Sequence, residues 1–332
     1  MDSSLTYTTK TELFKDLEDH RDGEFFAVID AKVKNHLPQW IQFSPQVFWL
    51  QHPEEEKNLS RYGEAAEFFL KQAIHRKSVI YAFGGGATTD LAGFIAATIL
   101  RGVHWRAVPT TLLAMVDASL GGKVGVNTEL GKNLLGAFYQ PEKVFLCPDF
   151  LNSLDAENWL SGKGEILKYA FLSSEIRDLV LKKADTGKII EACARFKLAI
   201  VEGDLREQGE RIKLNLGHTL GHAFESTLKL SHGLAVAMGL RYILEVMEKK
   251  KALEQWSELV EALALPRERL ELRHYPHFEK SKFFQYLQRD KKRQGSHVRL
   301  VLVESVGQAY TEDILLSELI SRIRQHADFA DQ

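Results

Sequence analysis

The sequence predicts an α/β domain followed by an all-α domain, on three observations. Short β-rich runs alternate with helical patterns over residues 1–150. After Pro148 no proline occurs until Pro266, and long stretches there carry the 3.6-residue period of a helix. The chain's 332 residues exceed the roughly 250–300 at which a single core stops growing. The expected domains are 1–150 and 151–332, with the boundary near Cys147–Asn152.

The strands expected in the first domain are Glu24–Asp30, Gln46–Leu50, Ser78–Phe83, Trp105–Thr110 and Lys143–Cys147, each rich in β-branched or aromatic residues. Between them, Ser60–Arg76 and Thr88–Gly102 read as helices, so the sheet should be mostly parallel and covered by helices. In the second domain Ala156–Leu172 and His232–Lys250 are the clearest helical stretches. Near the end, "HVRLVLVESVGQAY" reads as a strand, a turn at Gly307 and a return.

Apolar residues make up 45% of the chain and charged residues 27%, with a net charge of -2, so no bulk positive field points to nucleic acid or a membrane surface. Cys147 and Cys193 are too few for a disulfide framework and lack metal-type spacing; buried thiols in a reducing cytoplasm are expected. The first residues contain no apolar run of the signal-peptide kind. The longest apolar run, Leu91–Leu100, is about half of a membrane span. A cytoplasmic protein is the expectation.

Two segments carry chemistry. In "SVIYAFGGGATTDLAGF", Gly84, Gly85 and Gly86 join a strand to a helix that Thr88, Thr89 or Asp90 can cap. Free N–H groups and the positive dipole end of such a helix attract phosphate, which suggests a dinucleotide site. A plain strand–helix connection stays open, because Thr89 stands where the dinucleotide fingerprint has its third glycine. A Walker P-loop is excluded: Val124 follows "GGK", and Asp117 occupies the place of the first glycine.

The second segment is "LNLGHTLGHAFESTLKLSHG", Leu214–Gly233. Read as a helix, it sets Asn215, His218 and His222 in one stripe, and Gly217 and Gly221 beside it allow a close neighbour. A gap of ten residues is enough for a turn to bring His232 back. Three imidazoles could bind a divalent metal. Two imidazoles and a carboxylate could do the same and leave the third for acid–base work. Glu165 in "GKGEILKYA" is the carboxylate candidate, with Lys168 on its face. Hydrogen-bonded core histidines are the plain alternative.

These strings, with "VPTTLLAMVDASLGGKVGVN", "GKNLLGAFYQP", "HGLAVAMG" and "DKK", occur in an order and spacing that resembles the 3-dehydroquinate synthases, a branch of the sugar phosphate cyclases; the resemblance runs from Pro53 to Val303. It implies a Rossmann-like NAD domain, a helical domain, an active site between them, a homodimer, NAD, and one zinc (cobalt also serves). The implied metal ligands are Glu165, His218 and His232, which makes His222 a substrate-facing group. The implied NAD contacts are Gly85, Gly86, Asp90, Thr110, Thr111, Lys123 and Lys132. Glu54 and Lys57 would join them near the adenosine ribose, although Pro53 replaces a usual glycine there. For substrate, the resemblance implies Asp117, Lys123, Asn133, Lys168, Lys197, Arg211, Asn215 and His222, with one of Lys291 and Lys292. Arg101 would take the substrate phosphate, within the subunit or across the dimer interface.

The implied substrate is 3-deoxy-D-arabino-heptulosonate 7-phosphate, whose carboxylate and phosphate suit that set of cations. The implied reaction is transient oxidation by NAD, phosphate elimination, reduction and intramolecular aldol closure to 3-dehydroquinate, with NAD regenerated. The implied role of zinc is that of a Lewis acid.

Departures from the family pattern are Thr89 for a glycine, Leu234 for the glutamate after "HG", and a gap between His222 and His232 about two residues short. Loss of that glutamate is expected to weaken the metal about ten- to a hundredfold, through a missing partner of His232. The rivals are a sibling cyclase acting on a sugar phosphate without a carboxylate, a metal- and NAD-dependent polyol dehydrogenase of the same architecture, and a non-catalytic binding protein. Lys197 and Arg211, at the carboxylate-binding positions, favour the dehydroquinate synthase.

Overall fold

The structure, a computed structural model, describes residues 4–20, 24–292 and 296–329, without the side chains of 289–292. The chain divides into two compact units, Met1–Asp155 and Ala156–Gln332.

The first unit is built on six strands: β1 (Leu5–Tyr7), β2 (Phe25–Asp30), β3 (Val47–Leu50), β4 (Val79–Gly84), β5 (His104–Pro109) and, after a separate hairpin, β8 (Lys143–Leu146). Their order is β1-β8-β5-β4-β2-β3, and every pairing is parallel. The central β4 is buried at every position, as a parallel sheet requires when both of its faces are covered. From β2 the chain steps outward to β3 and then returns to β4 on the other side, so the strand order reverses between β2 and β4. In open α/β sheets such a reversal opens a crevice at the carboxyl ends of the strands.

Two features of this unit are absent from the sequence reading. β1 is a three-residue edge strand, too short for any periodicity, and is held by its pairing with β8. β6 (Lys123–Thr128) and β7 (Gly131–Phe138) form an antiparallel hairpin with an irregular register between Val126 and Thr128. Most of β7 is exposed, so it lacks the in–out alternation that marks a half-buried strand.

The second unit is helical and carries one antiparallel hairpin, β9 (His297–Val303) with β10 (Ala309–Leu315). Its turn lies at Gly307, where φ is +78°. The helix His232–Val246 is buried along nearly its whole length. The helices Ala156–Leu172 and His218–Leu228 pack against it. Glycines set these approaches: a Cβ on Gly164 would lie 2.0 Å from the Gly233 carbonyl oxygen, and one on Gly239 would lie 2.3 Å from that of Gly217. No described helix is long and apolar enough to cross a membrane.

Candidate functional site

In the first unit, the helix after β4 runs from Gly86 to Thr98 with Gly85 at its N-cap and no side-chain cap. The expected caps fall inside the helix, Thr88 and Thr89 in its first turn and Asp90 just after it, because the helix starts two residues early. Thr88 and Thr89 are buried there, and the Thr89 hydroxyl donates back to the Gly86 carbonyl at 3.0 Å. The first amide groups of the helix therefore keep no side-chain acceptor of their own, the arrangement that suits a phosphate. Thr110 donates its N–H to the Gly84 carbonyl at 2.9 Å, and a Cβ on Gly85 would stand 3.2 Å from the Thr111 methyl. Gly84–Gly86 and Thr110–Thr111 thus meet at the carboxyl ends of β4 and β5. Asp117 follows in a single π-helical turn, Ala114–Ala118.

Lys57, Asp90 and Asn133 also come together. The Lys57 amine is buried and donates to Asp90 Oδ2 at 2.9 Å and to Asn133 Oδ1 at 2.8 Å. Asn133 holds a left-handed φ of +56°, with its N–H on Asn127 Oδ1 at 3.1 Å. Lys132 stands 3.7 Å from Glu54 at the surface. Lys123 and Arg101 are exposed, and Leu100, Arg101 and Gly102 are three successive residues with positive φ.

In the second unit, Glu165 Oε1 lies 3.2 Å from His232 Nε2 and 3.8 Å from His218 Nε2. One ligand atom from each of these residues falls within 4.8 Å of the other two. Both Glu165 oxygens are buried and lack a hydrogen bond of proper geometry. Lys168, one turn on, brings Nζ to 2.5 Å from Oε2 as a charge contact and is itself buried. The carboxylate is thus divided, with Oε1 facing the imidazoles and Oε2 facing the ammonium. Donors about 2.0–2.1 Å from a tetrahedral ion stand about 3.3 Å apart, so this set fits a divalent ion bound through Oε1 and two Nε2 atoms. It leaves a fourth position open.

The His218 ring is pushed well below its usual pKa, by burial first and then by Lys168 and the neighbouring imidazoles. Burial acts on His232 in the same direction, but contacts with Glu165 and Glu225 outweigh it and raise the ring to about 10 in this metal-free state. His222 stands beside the trio, its ring centroid 5.3 Å from that of His218 and 6.1 Å from that of His232.

The stripe expected to hold Asn215, His218 and His222 is interrupted. Gly217 takes φ +80° and caps a helix that begins at His218, while Asn215 ends the 3-10 turn Glu210–Asn215. Its amide donates to Glu207 Oε1 at 2.7 Å. Lys197 and Arg211 are buried, and Arg211 donates Nη1 to the Leu205 carbonyl at 2.9 Å. Lys291 and Lys292 end the helix Lys280–Lys292, and their side chains lie outside the described residues.

The sequence reading missed Glu225. It lies seven residues after His218 on the same helix and accepts from His232 Nδ1 at 2.9 Å. Its signal was present in "GHAFE", where it continues the His218–His222 face by another turn. The loss expected from Leu234 is corrected accordingly. Leu234 is fully buried core, and His232 takes its carboxylate partner from Glu225 instead.

Comparison with known proteins places this arrangement. A family model described as 3-dehydroquinate synthase N-terminal matches residues 47–161, and one described as 3-dehydroquinate synthase C-terminal matches residues 162–293. A 3-dehydroquinate synthase of Streptococcus mutans is 39% identical over 322 residues, spanning 91% of this chain and 87% of that protein. One of Streptococcus pneumoniae is 37% identical over 317 residues, spanning 90% and 87%. Among solved structures, the 2-epi-5-epi-valiolone synthase ValA of Streptomyces hygroscopicus, with NAD+ and Zn2+ bound, superposes with a TM-score of 0.82 at 21% identity, covering 97% of this chain and 96% of that one. A 2-deoxy-scyllo-inosose synthase complexed with carbaglucose-6-phosphate, NAD+ and Co2+ gives 0.78 at 24% identity, with the same coverage. The parallel α/β unit and the helical unit with its Glu–His–His cluster define a dehydroquinate synthase-like protein. By family model and by curated relatives alike, the chain belongs to the 3-dehydroquinate synthase family.

Proposed function

We propose that the chain catalyses the 3-dehydroquinate synthase reaction, converting 3-deoxy-D-arabino-heptulosonate 7-phosphate to 3-dehydroquinate and phosphate as a phosphate-eliminating lyase. One observation carries the reading within the family. A buried carboxylate without a hydrogen bond, Glu165, faces two imidazole nitrogens at 3.2 and 3.8 Å. Lys168 balances the carboxylate at Oε2; Oε1 is turned to the imidazoles, and one carboxylate with two imidazoles is a ligand set for a divalent ion. Glu165, His218 and His232 would hold zinc or cobalt, and the turn at Gly85, Gly86, Thr110 and Thr111 would hold NAD. Once bound, the ion supplies a Lewis acid for a substrate oxygen and NAD a reversible hydride acceptor.

The side chains do the rest. Lys168 neutralises charge beside Glu165, and His222 orients the substrate phosphate next to the metal ligands. Buried Lys197 and Arg211 take the substrate carboxylate, and Asn215 joins His222 on the phosphate. Lys57 fixes Asp90 and Asn133 rather than reaching the ribose, since its amine is already bonded to both. Glu54, Lys132 and Lys123 serve the cofactor. Asp117, Arg101 and one of Lys291 and Lys292 serve the substrate. A cytoplasmic homodimer completes the reading; the exposed apolar residues Leu130, Leu134, Leu135 and Phe138 around β7 support the dimer.

Incubation with the heptulosonate phosphate, NAD and zinc tests it, with phosphate and absorbance at the NADH band followed together. Phosphate release without net NADH is expected. Net NADH from a polyol would instead make the chain a dehydrogenase, and turnover of carboxylate-free sugar phosphates alone would make it a sibling cyclase. His222→Ala should keep bound zinc and lose turnover.

A further inference from the structure

The two imidazoles facing Glu165 are anchored differently. His218 Nδ1 meets the Leu216 carbonyl oxygen at 3.2 Å, and His232 Nδ1 meets Glu225 Oε2 at 2.9 Å. Both acceptors only accept, so each Nδ1 carries a proton, and Nε2 is the nitrogen left on each ring to bind an ion. One anchor is neutral and belongs to the backbone, while the other is an anionic side chain.

We propose that Glu225 is a positioning residue for the metal centre: its carboxylate fixes the tautomer and orientation of His232 and adds a negative charge beside the ion. The inference rests on the metal reading of Glu165, His218 and His232 given above.

Three observations carry it. First, the local fold aims Glu225. The helix His218–Leu228 ends with Lys229 in a left-handed conformation (φ +55°), and a new helix begins at His232. The intervening turn folds His232 back over the face that displays His218, His222 and Glu225 at spacings of four and three. Second, the charges favour it. Lys168 already pairs with Glu165, so Glu225 supplies the carboxylate charge beside the ligand set that remains to offset a divalent ion. Third, the residue two after His232 cannot help, because Leu234 is apolar and fully buried.

A carboxylate on Nδ1 makes the opposite nitrogen a stronger donor and fixes the orientation of the ring. His218, on a neutral carbonyl, lacks the first effect. With an ion bound, His232 would be the tighter imidazole ligand, and Glu225 would set that difference.

Zinc alone is the probe, titrated into the full chain against a chromophoric chelator, with cobalt absorption as a second readout. Glu225→Gln keeps the shape and an acceptor oxygen but loses the charge; Glu225→Ala loses both. Zinc affinity should fall about tenfold for Glu225→Gln and up to about a hundredfold for Glu225→Ala. The cobalt d–d bands should shift in both. Glu165→Gln is the control and should abolish zinc binding. If Glu165→Gln abolishes binding while Glu225→Gln binds zinc and colours cobalt like the parent, the role of Glu225 is overturned and the metal reading stands. If Glu165→Gln binds zinc like the parent, the metal reading fails and this inference fails with it. Should Glu225→Ala not fold, Glu225→Gln decides the matter alone.

Discussion

The strand-end turn of the first unit and the histidine cluster of the second are made of different materials. The turn is backbone: glycines, open amide groups and the end of a helix, with Thr110 locked to Gly84 by a main-chain bond of 2.9 Å. The cluster is side chain: one carboxylate, three imidazoles and a lysine, with the carboxylate and the lysine buried and the imidazoles half-buried. A backbone site depends on the path of the chain and tolerates a change of side chain. A side-chain site depends on each donor atom. The largest expected effect follows from that contrast. Apparent binding energies of about 10–16 kcal/mol for a structural zinc, divided over its ligands, give about 3–5 kcal/mol for each. Glu165→Gln should therefore weaken zinc about a thousandfold or more in equilibrium competition. A loss under tenfold would mean that the cluster binds by some other set of atoms.

The contrast has a limit, and Gly233→Ala probes it. The side-chain cluster rests on two backbone approaches, and a Cβ at Gly233 would stand 1.7 Å from the Ser161 carbonyl oxygen. The helices carrying Glu165 and His232 would have to separate. Overpacking costs about 1–3 kcal/mol where side chains can yield, and here the obstacle is main chain, so about 3 kcal/mol or more is expected in urea unfolding. Gly164→Ala should behave alike, its Cβ falling 2.0 Å from the Gly233 carbonyl oxygen. If either variant were as stable as the parent, the close helix contact would not be what brings Glu165 to His232.

What the sequence made legible divides along the same line. Both long helices that frame the cluster follow from their apolar period, and the three metal candidates are visible as residue types at workable spacings. The core strands β2, β4, β5 and β8 are legible because each is a short apolar run between turn residues. The hairpin β6–β7 is not legible, since its second strand is exposed and its conformation comes from pairing and glycines rather than from a buried face. Asn215 was misplaced for a related reason. Spacing alone continues a helix through Gly217, and only the backbone shows that this glycine turns left-handed under the helix His232–Val246. Glu225 was overlooked because a glutamate on a helix is normally solvated surface. Its partner lies beyond a turn whose geometry no period encodes.

Lys57 supplies the intermediate case, a side chain that works within the backbone-built unit. It ties the helix Gly86–Thr98, through Asp90, to the hairpin, through Asn133. Removing one partner of a buried ion pair costs roughly 3–5 kcal/mol, and the partial exposure of Asp90 reduces the expectation to about 2 kcal/mol for Lys57→Met. Chemical unfolding measures that loss, and NAD titration should show a weaker complex. Unchanged stability would remove Lys57 from the framework and return it to the ribose contact implied by the family pattern.

Thr89 should give the smallest effect, and it tests the contrast most directly. It replaces the glycine of the family pattern in the turn, yet its hydroxyl points back to the Gly86 carbonyl and leaves the helix N-terminus without a side-chain cap. If the turn works through its backbone, Thr89→Ala should change NAD affinity by less than about twofold, because no donor is lost. Stability should move by under about 1 kcal/mol, the loss of one neutral hydrogen bond partly offset by the better helix propensity of alanine. Thr89→Gly should be the less stable of the two by about 1 kcal/mol, from helix propensity alone. A tenfold change in NAD affinity with Thr89→Ala would mean that a side chain takes part in the turn, and the division between a backbone site and a side-chain site would fail at its clearest position.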